Sequence, residues 1–600
     1  MKQIFIFLCL ILPISLSAQA PGFLVGVNKT DITTFKKGGG MLGYSMSFNV
    51  SDTVVTPLHA RSFIIQDAKG NKVAIVETEL CFIPAELKTA VVQKVAQTSP
   101  EFDEENVMIL AQHTHCSPAG YCHFSAYNMS VPGYIPEIFN DLRDKISVSI
   151  LAANEVLIPA NLSLSKGEYP LDWEVGFNRS RKAYNRNKDV EKIKKNELNK
   201  GINRETVLLK FTDEENVPIG AINWFGVHAT SLSNNYNKIN SDNKGYAATY
   251  LEEQMESVNP AFVGAFAQAT SGDVSPKFVY NRKLHWQRGK WEGKFPDDEK
   301  SAEYNGQLQF KKTLELMNNE GFKVKSSEIQ TTLRFYNFSD ITVDSRYAYG
   351  KGILQTSPSC VGMSMIGGAL MDGPAAPKAV VKVANGIIGL IKVWELSTSI
   401  FRKKEVRKAI WRKYRVQGKK KILMESGAKK MLGTKNIKRL IIPGFLDPTI
   451  ATFKKFHKAG ALEENTWTPQ ILPVQFVQIG DIVLAGLPFE ITTTAGKRLK
   501  KGIQELYANE GIKEVILCSY ANSYSGYITT NEEYKVQLYE GGHTVFGQHS
   551  LAALQTTFLW LFNERGKKLK DLENPLKPPV FSETELNKRL FYDRKALKKK

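Results

Sequence analysis

Five short apolar runs, each halted abruptly by polar residues, restrict what this chain can become more than any other feature of it. They are Lys72-Val-Ala-Ile-Val-Glu77, Val107-Met-Ile-Leu110 ahead of His113, Ala221-Ile-Asn-Trp-Phe-Gly-Val227 ahead of His228, Phe262-Val-Gly-Ala-Phe266 ahead of Gly272-Asp-Val-Ser275, and Ile482-Val-Leu-Ala-Gly486 ahead of Glu490. Runs this short and this rich in β-branched residues read as strands buried on both faces. Helical patterns stand between them at Glu86–Gln97, Gly245–Val258 and Gly496–Asn509, so the chain is predicted to be mixed α/β. Its 600 residues, 42% of them hydrophobic, exceed an ordinary domain and suffice for a large core, which permits one big domain with insertions. No short repeat or long low-complexity linker divides it. Charged stretches at about 182–203 and 285–300 read as surface excursions.

The polar residues that stop the runs carry the chemistry. In Ala111-Gln-His113-Thr-His115 two imidazoles stand two residues apart, and on an extended strand such residues point to the same side. Taken alone, the pair fits a satisfied core or surface histidine as readily as a metal or acid–base centre. Recurrence of the pattern changes the weighing. Functional groups gather beyond strand ends in open α/β sheets, so His113, His228, Ser275 and Glu490 can converge from distant parts of the chain.

Met1–Ala20 has the form of a secretory signal: Lys2, an apolar core Ile4–Leu12, and small residues ending Ala18-Gln-Ala20. The apolar stretch falls well short of the roughly 20 residues a membrane span requires, so a secreted or periplasmic protein is expected. Beyond it lie Cys81, Cys116, Cys122, Cys360 and Cys518, too few for a disulfide scaffold; a Cys116–Cys122 bridge and unpaired thiols are both open. The net charge of +19 is concentrated: between Arg402 and Arg439 sixteen Lys and Arg face only Glu405 and Glu425. This basic insertion, about 402–440, follows the apolar Ile387–Trp394 and Ile400-Phe401, the composition of a segment that rests on an anionic membrane surface. A solvated insertion without a partner is the alternative. Nucleic acid, which so basic a patch also suits, is not expected for an exported chain.

Longer segments narrow the reading. Trp224-Phe-Gly-Val-His228-Ala-Thr-Ser-Leu-Ser-Asn-Asn235, Asn240-Ser-Asp-Asn-Lys-Gly245, Ser271-Gly-Asp-Val-Ser275-Pro276, Pro488-Phe-Glu490-Ile-Thr-Thr-Thr-Ala-Gly-Lys-Arg498, and Tyr527-Ile-Thr-Thr-Asn-Glu-Glu-Tyr534 with Tyr539-Glu540-Gly541 follow in fixed order. Over about residues 22–565 the chain resembles the neutral ceramidase family. The resemblance implies a large, layered, mixed α/β catalytic domain over 21–575, and a zinc amidase that splits the N-acyl bond of ceramide into a fatty acid and a sphingoid base. It puts metal ligands at His113, His228, Glu490 and Tyr527. Two histidines and a carboxylate are an ordinary catalytic zinc set with a position left open. A tyrosine ligand is unusual, since a phenol of intrinsic pKa about 10 must lose its proton to a nearby cation. The resemblance further puts a nucleophile at Ser275, a second imidazole at His115 near the scissile amide, and Arg179 and Tyr539 facing substrate, where either can bond a developing oxyanion. A rival mechanism keeps the metal, makes a zinc-activated water the attacker and leaves Ser275 to orient substrate. An additional structural Ca2+ or Mg2+ is compatible with the family, with no residues assigned to it. Gly362–Pro374 fits as a backbone loop near the site, with no chemistry assigned.

Several departures from the family bear on the pocket: Cys116-Ser117 for Ser-Gly, Lys277 for Asn and Phe489 for Gly. Lys277 and Phe489 are expected to reshape it, which makes amide hydrolysis a firmer expectation than ceramide itself. After Pro575 a basic tail, 576–600, stands where the family continues into an immunoglobulin-like β-sandwich, and is too short for one. The alternatives are a zinc amidase for another N-acyl lipid, and a non-catalytic surface-binding protein that keeps the fold.

Overall fold

The computed structural model describes residues 22–281, 290–325, 328–373, 376–440 and 448–592. The signal segment 1–20, part of the 285–300 excursion and the last residues of the tail lie outside the described residues.

One sheet dominates. In chain order its strands are β1 (Phe23–Asp31), β2 (His59–Asp67), β3 (Lys72–Thr78), β4 (Val107–Ala111), β5 (Ile158–Glu168), β6 (Glu205–Thr212), β7 (Pro218–Phe225) and β8 (Val263–Gln268). They lie side by side as β8-β7-β6-β5-β1-β2-β3-β4, with Phe322–Lys323 added on β5. A second sheet runs β9 (Ile329–Asn337), β10 (Ile471–Ile479), β11 (Ile482–Gly486), β12 (Glu514–Cys518). The main helices are α1 (Ala85–Val95), α2 (Pro136–Glu155), α3 (Asp242–Met255), α4 (Asp298–Asn318), α5 (Lys378–Thr398), α6 (Lys404–Gln417), α7 (Thr493–Leu506) and α8 (Ser550–Asn563). Parallel pairs occur where a helix makes the crossover: α1 between β3 and β4, α3 between β7 and β8, α7 between β11 and β12.

Alternation along the strands builds the layers. On β4, Val107, Ile109 and Ala111 pack with α1 and α2, while Met108 and Leu110 pack against the second sheet. On β10, Val477 and Ile479 meet the first sheet, and Val474 and Phe476 meet Leu499 of α7 with Leu554 and Phe558 of α8. Two sheets therefore lie face to face between helical layers, and the strands read as unbroken apolar runs because both of their faces are covered. Helix α2 shows the complementary period, burying Ile138, Leu142, Ile146, Ile150 and Ala153 after a Pro in its first turn.

The large sheet curls until its edge strands approach. Gln268, at the end of β8, donates through its amide to the carbonyl of Gln112 just past β4 at 2.8 Å, and Phe63 of β2 stacks on Phe211 of β6 with centroids 5.5 Å apart. Asn522 then grips Ile109 from both sides: its side-chain Oδ1 accepts from the Ile109 N–H at 2.9 Å and its backbone N–H donates to the Ile109 carbonyl at 2.9 Å. That pairing ties the turn after β12 to β4.

Three expectations are sharpened. The cysteines of the described residues are buried free thiols, and Cys122 turns its Sγ to Glu86 Oε1 at 3.5 Å, so no Cys116–Cys122 bridge forms. The basic insertion is folded: α6 leads into Ile422–Glu425 and Lys430–Met431, which form a ladder with Cys360–Gly362. Residues 576–592 pack back onto the body: Phe581 joins the core beside α2, and the Phe591 N–H donates to the Tyr134 carbonyl at 2.7 Å. Because Phe63 is fully buried and stacked on Phe211, Phe63→Ala is expected to lower stability by about 3–5 kcal/mol, read as a shift of the denaturant midpoint.

Candidate active site

The strand ends of both sheets meet at one buried point. His113 follows β4, His228 follows β7, Ser271–Ser275 follows β8, Glu490 follows β11 and Tyr520–Tyr527 follows β12. His113 and His115 do share a volume, with ring centroids 4.7 Å apart, although not for the reason the spacing suggests. β4 ends at Ala111, and His113 takes a left-handed φ of 74°, so a turn rather than strand alternation aims the two rings at each other. Gly43, at φ +111°, lies flat against the His115 ring, where a Cβ would come within 2.2 Å of Cγ.

Backbone carbonyls fix which nitrogen each ring presents. His113 Nδ1 donates to the Cys81 carbonyl at 2.6 Å, and His228 Nδ1 to the carbonyls of Ser271 and Val274 at 2.8 and 3.1 Å. Each Nε2 is left as a lone pair. His228 Nε2 lies 3.0 Å and His113 Nε2 3.5 Å from Glu490 Oε2, while His115 Nε2 comes 3.1 Å from His113 Nε2. Burial pushes His113 down to about 4, and burial with the neighbouring imidazoles pushes His115 well below its usual range. Glu490 goes the same way. Burial would raise it, yet His113, His228 and a hydrogen bond from Tyr524 hold it well below the ordinary carboxylate range.

Glu490 and Tyr527 are brought together by pairing. Glu490–Ile491 and Tyr527–Ile528 form a short parallel ladder in which Glu490 is the register partner of Tyr527. Tyr527 Oη stands 3.4 Å from His228 Nε2 and accepts from Arg179 Nη2 at 3.0 Å. Burial and the Glu490 carboxylate push the Tyr527 phenol well above 10, with Arg179 opposing, so it keeps its proton until a stronger positive charge arrives. Two imidazole lone pairs, a carboxylate oxygen and a phenol oxygen thus converge in the buried interior. Such a donor set fits a divalent cation, and His113, His228 and Glu490 present their atoms within 4.8 Å of one another.

Ser275 sits on a second small ladder, Val274–Ser275 against Phe177–Asn178, beside the Val274 carbonyl that holds His228. Its hydroxyl donates to Asp372 Oδ1 at 2.6 Å and accepts from the Lys277 N–H at 3.1 Å. Asp372 also takes Arg179 Nη1 at 2.6 Å and the Thr230 hydroxyl at 2.9 Å. Burial raises the Asp372 carboxyl, but Arg179 together with His228, Lys277 and the Ser275 hydrogen bond outweighs it and keeps the group below its usual range. Arg179 is engaged at all three nitrogens, by Glu540 and the Gly272 carbonyl as well, so it holds Asp372 and Tyr527 rather than facing open space. Tyr539, half-buried, has its ring 5.6 Å from that of Tyr527 and 5.6 Å from the Arg179 guanidinium.

Asp372 escaped the sequence reading even though it lies within Gly362–Pro374, because its role depends on which serine the fold puts beside it. Tyr520 and Tyr524, whose hydroxyls both donate to Glu490, carried no signal at all. Phe489 does not reshape the pocket: its ring turns into the core, 5.2 Å from that of Phe338. Lys277 is buried, with its Nζ donating to the Leu232 carbonyl at 3.2 Å and lying 5.8 Å from the Tyr44 ring.

Known proteins share this arrangement of elements. The family model described as neutral/alkaline non-lysosomal ceramidase, N-terminal, matches residues 23–440 and 454–556. The neutral ceramidase of Pseudomonas aeruginosa is 30% identical over 555 residues, covering 92% of this chain and 73% of that protein. Neutral ceramidase B of Dictyostelium discoideum is 30% identical over 566 residues, with 90% and 72% covered. Among solved structures, the crystal structure of the Pseudomonas aeruginosa enzyme superposes with a TM-score of 0.73 at 27% identity, over 95% of this chain and 78% of that one. A structure titled ceramidase complexed with C2 gives 0.75 at 29%, over 93% and 77%. With the family model matching residues 23–440 and 454–556 and a relative 30% identical over 92% of its length, the chain belongs to the neutral/alkaline non-lysosomal ceramidase family of hydrolases.

Proposed function

We propose that this protein is a zinc-dependent amidohydrolase that cleaves the N-acyl amide bond of ceramide, releasing a fatty acid and a sphingoid base. The observation that carries the reading is the convergence of His113 Nε2, His228 Nε2, Glu490 Oε2 and Tyr527 Oη beside a serine whose proton is already engaged. Nitrogen and oxygen donors in this number suit zinc. Zinc would be held there by these four residues and would supply Lewis acidity to the amide carbonyl and a positive charge that favours the phenolate form of Tyr527.

The chain's own residues set up the rest. Ser275 directs its proton to Asp372 and receives the Lys277 N–H, which leaves an Oγ lone pair for the amide carbon. Asp372, kept ionised by Arg179, accepts the proton as Oγ attacks. As the C–N bond breaks, the proton taken up by Asp372 passes to the departing amine, while His115, buried and neutral with its Nδ1 unpartnered among the described residues, is placed to orient the scissile amide. Arg179 and Tyr539 steady the phenol ligand and the wall around it. The amino-terminal segment supports export, so the reaction is assigned to the periplasm or the cell exterior.

Metal analysis of the purified protein is expected to give one zinc per chain, absent from His228→Ala and kept by Ser275→Ala. Fatty-acid release from ceramide should stop on chelation and return with zinc; release that survives chelation overturns the reading, and faster cleavage of other N-acyl lipids reassigns the substrate. Ser275→Ala is expected to lower kcat by about 10⁶-fold, and a trapped acyl-enzyme in the native protein separates serine attack from attack by water.

A further inference from the structure

Helix α5 is apolar on its outer face. Val380, Val383, Ile387, Leu390 and Trp394 recur at helical spacing there, and all five are exposed, Val383 at 64% and Leu390 at 73%. On the inward side Ile388 is buried, and Glu395 is buried and gripped by Lys413 at 2.5 Å and Lys430 at 2.7 Å, which pins the helix to the body. After α5 the chain turns through Ile400 and Phe401, the latter 87% exposed, and enters α6 with Trp411 also exposed. Arg402, Lys403, Lys404, Arg407 and Lys408 line this turn, all exposed, and among the described residues none forms an ion pair. Ahead of α5, Ile366 and Leu370 add to the exposed apolar surface. They belong to the same segment as Asp372, and the Ala376 N–H donates to the Ile366 carbonyl at 3.0 Å.

A folded surface seldom leaves so continuous an apolar stripe bare, so something covers it. No described helix is long and apolar enough to cross a membrane. A stripe of Val, Leu, Ile and Trp edged by unpaired cations matches instead the boundary between acyl chains and anionic headgroups. A second copy is the poorer fit, because a two-fold contact would set the same cations against each other. We propose that α5, the Ile400–Phe401 turn and the start of α6 form a docking surface for an anionic lipid membrane, which seats the Asp372-bearing segment at the bilayer. The proposal rests on the lipid-amidase reading for its purpose, but not for its test.

The test is co-sedimentation of the full chain with vesicles of phosphatidylcholine alone or mixed with phosphatidylglycerol. Binding is expected to be at least about tenfold tighter to the anionic vesicles and to weaken with salt. Leu390→Asp with Phe401→Asp should lower it by about tenfold or more, while hydrolysis of a water-soluble short-chain ceramide stays unchanged and hydrolysis of vesicle-embedded ceramide falls. Equal binding to both vesicle types, unchanged binding by the double variant, or a dimer that the double variant abolishes without any vesicle binding would overturn the proposal. Tight anionic binding with no hydrolysis of either ceramide upholds the docking surface and sinks the enzymatic reading instead.

Discussion

Acceptor atoms buried face to face are the constraint on which this structure turns. Lone pairs of two imidazoles, an ionised carboxylate and a phenol crowd into one buried volume, an arrangement that is unfavourable unless positive charge enters it. The surroundings hold it in place from outside. Carbonyls of Cys81, Ser271 and Val274 take the Nδ1 protons, the hydroxyls of Tyr520 and Tyr524 support Glu490, and Arg179 anchors both Tyr527 and Asp372. The left-handed backbone at His113 costs about 1–3 kcal/mol and persists only because neighbouring elements fix both ends of the turn.

Rigid elements supply that fixation. The curl of the large sheet closes the distance between its two edges, and the Gln268–Gln112 and Asn522–Ile109 bonds lock the approach. Two miniature ladders then do the fine placement: one sets Glu490 beside Tyr527, the other sets Ser275 beside the residue whose carbonyl orients His228. Donors and acceptors are thereby preorganised before any substrate arrives, which is where electrostatic catalysis gains most.

The segment carrying Asp372 joins two levels of the molecule. Inward it reaches Ser275 and Arg179; outward it leads into a helix whose outer apolar face is bare and whose inner side is anchored by Ile388 and an ion cluster. The buried Glu395 is tolerated there because it meets Lys413 and Lys430 at once, so its charge is compensated. The chemistry and the apolar surface are thus parts of one continuous stretch of chain.

What the sequence by itself determined was local and periodic. The apolar runs specified β3, β4, β7, β8 and β11, and the 3.6-residue pattern specified α1, α3 and α7 to within a few residues, because burial on two faces or one face writes directly into residue order. The histidines, Ser275 and Glu490 were legible as polar residues at strand ends. Tyr527 was legible only through the family pattern, since one tyrosine among many carries no mark of the Glu490 it will lie beside. The tertiary structure alone decided that His113 and His115 meet through a left-handed turn, that Asp372 serves Ser275, that Phe489 faces the core, and that the basic insertion stands on a pinned helix with its apolar side outward. Those outcomes depend on contacts between residues tens to hundreds of positions apart, and such contacts are fixed by the curl and register of the sheets rather than by neighbours in the chain.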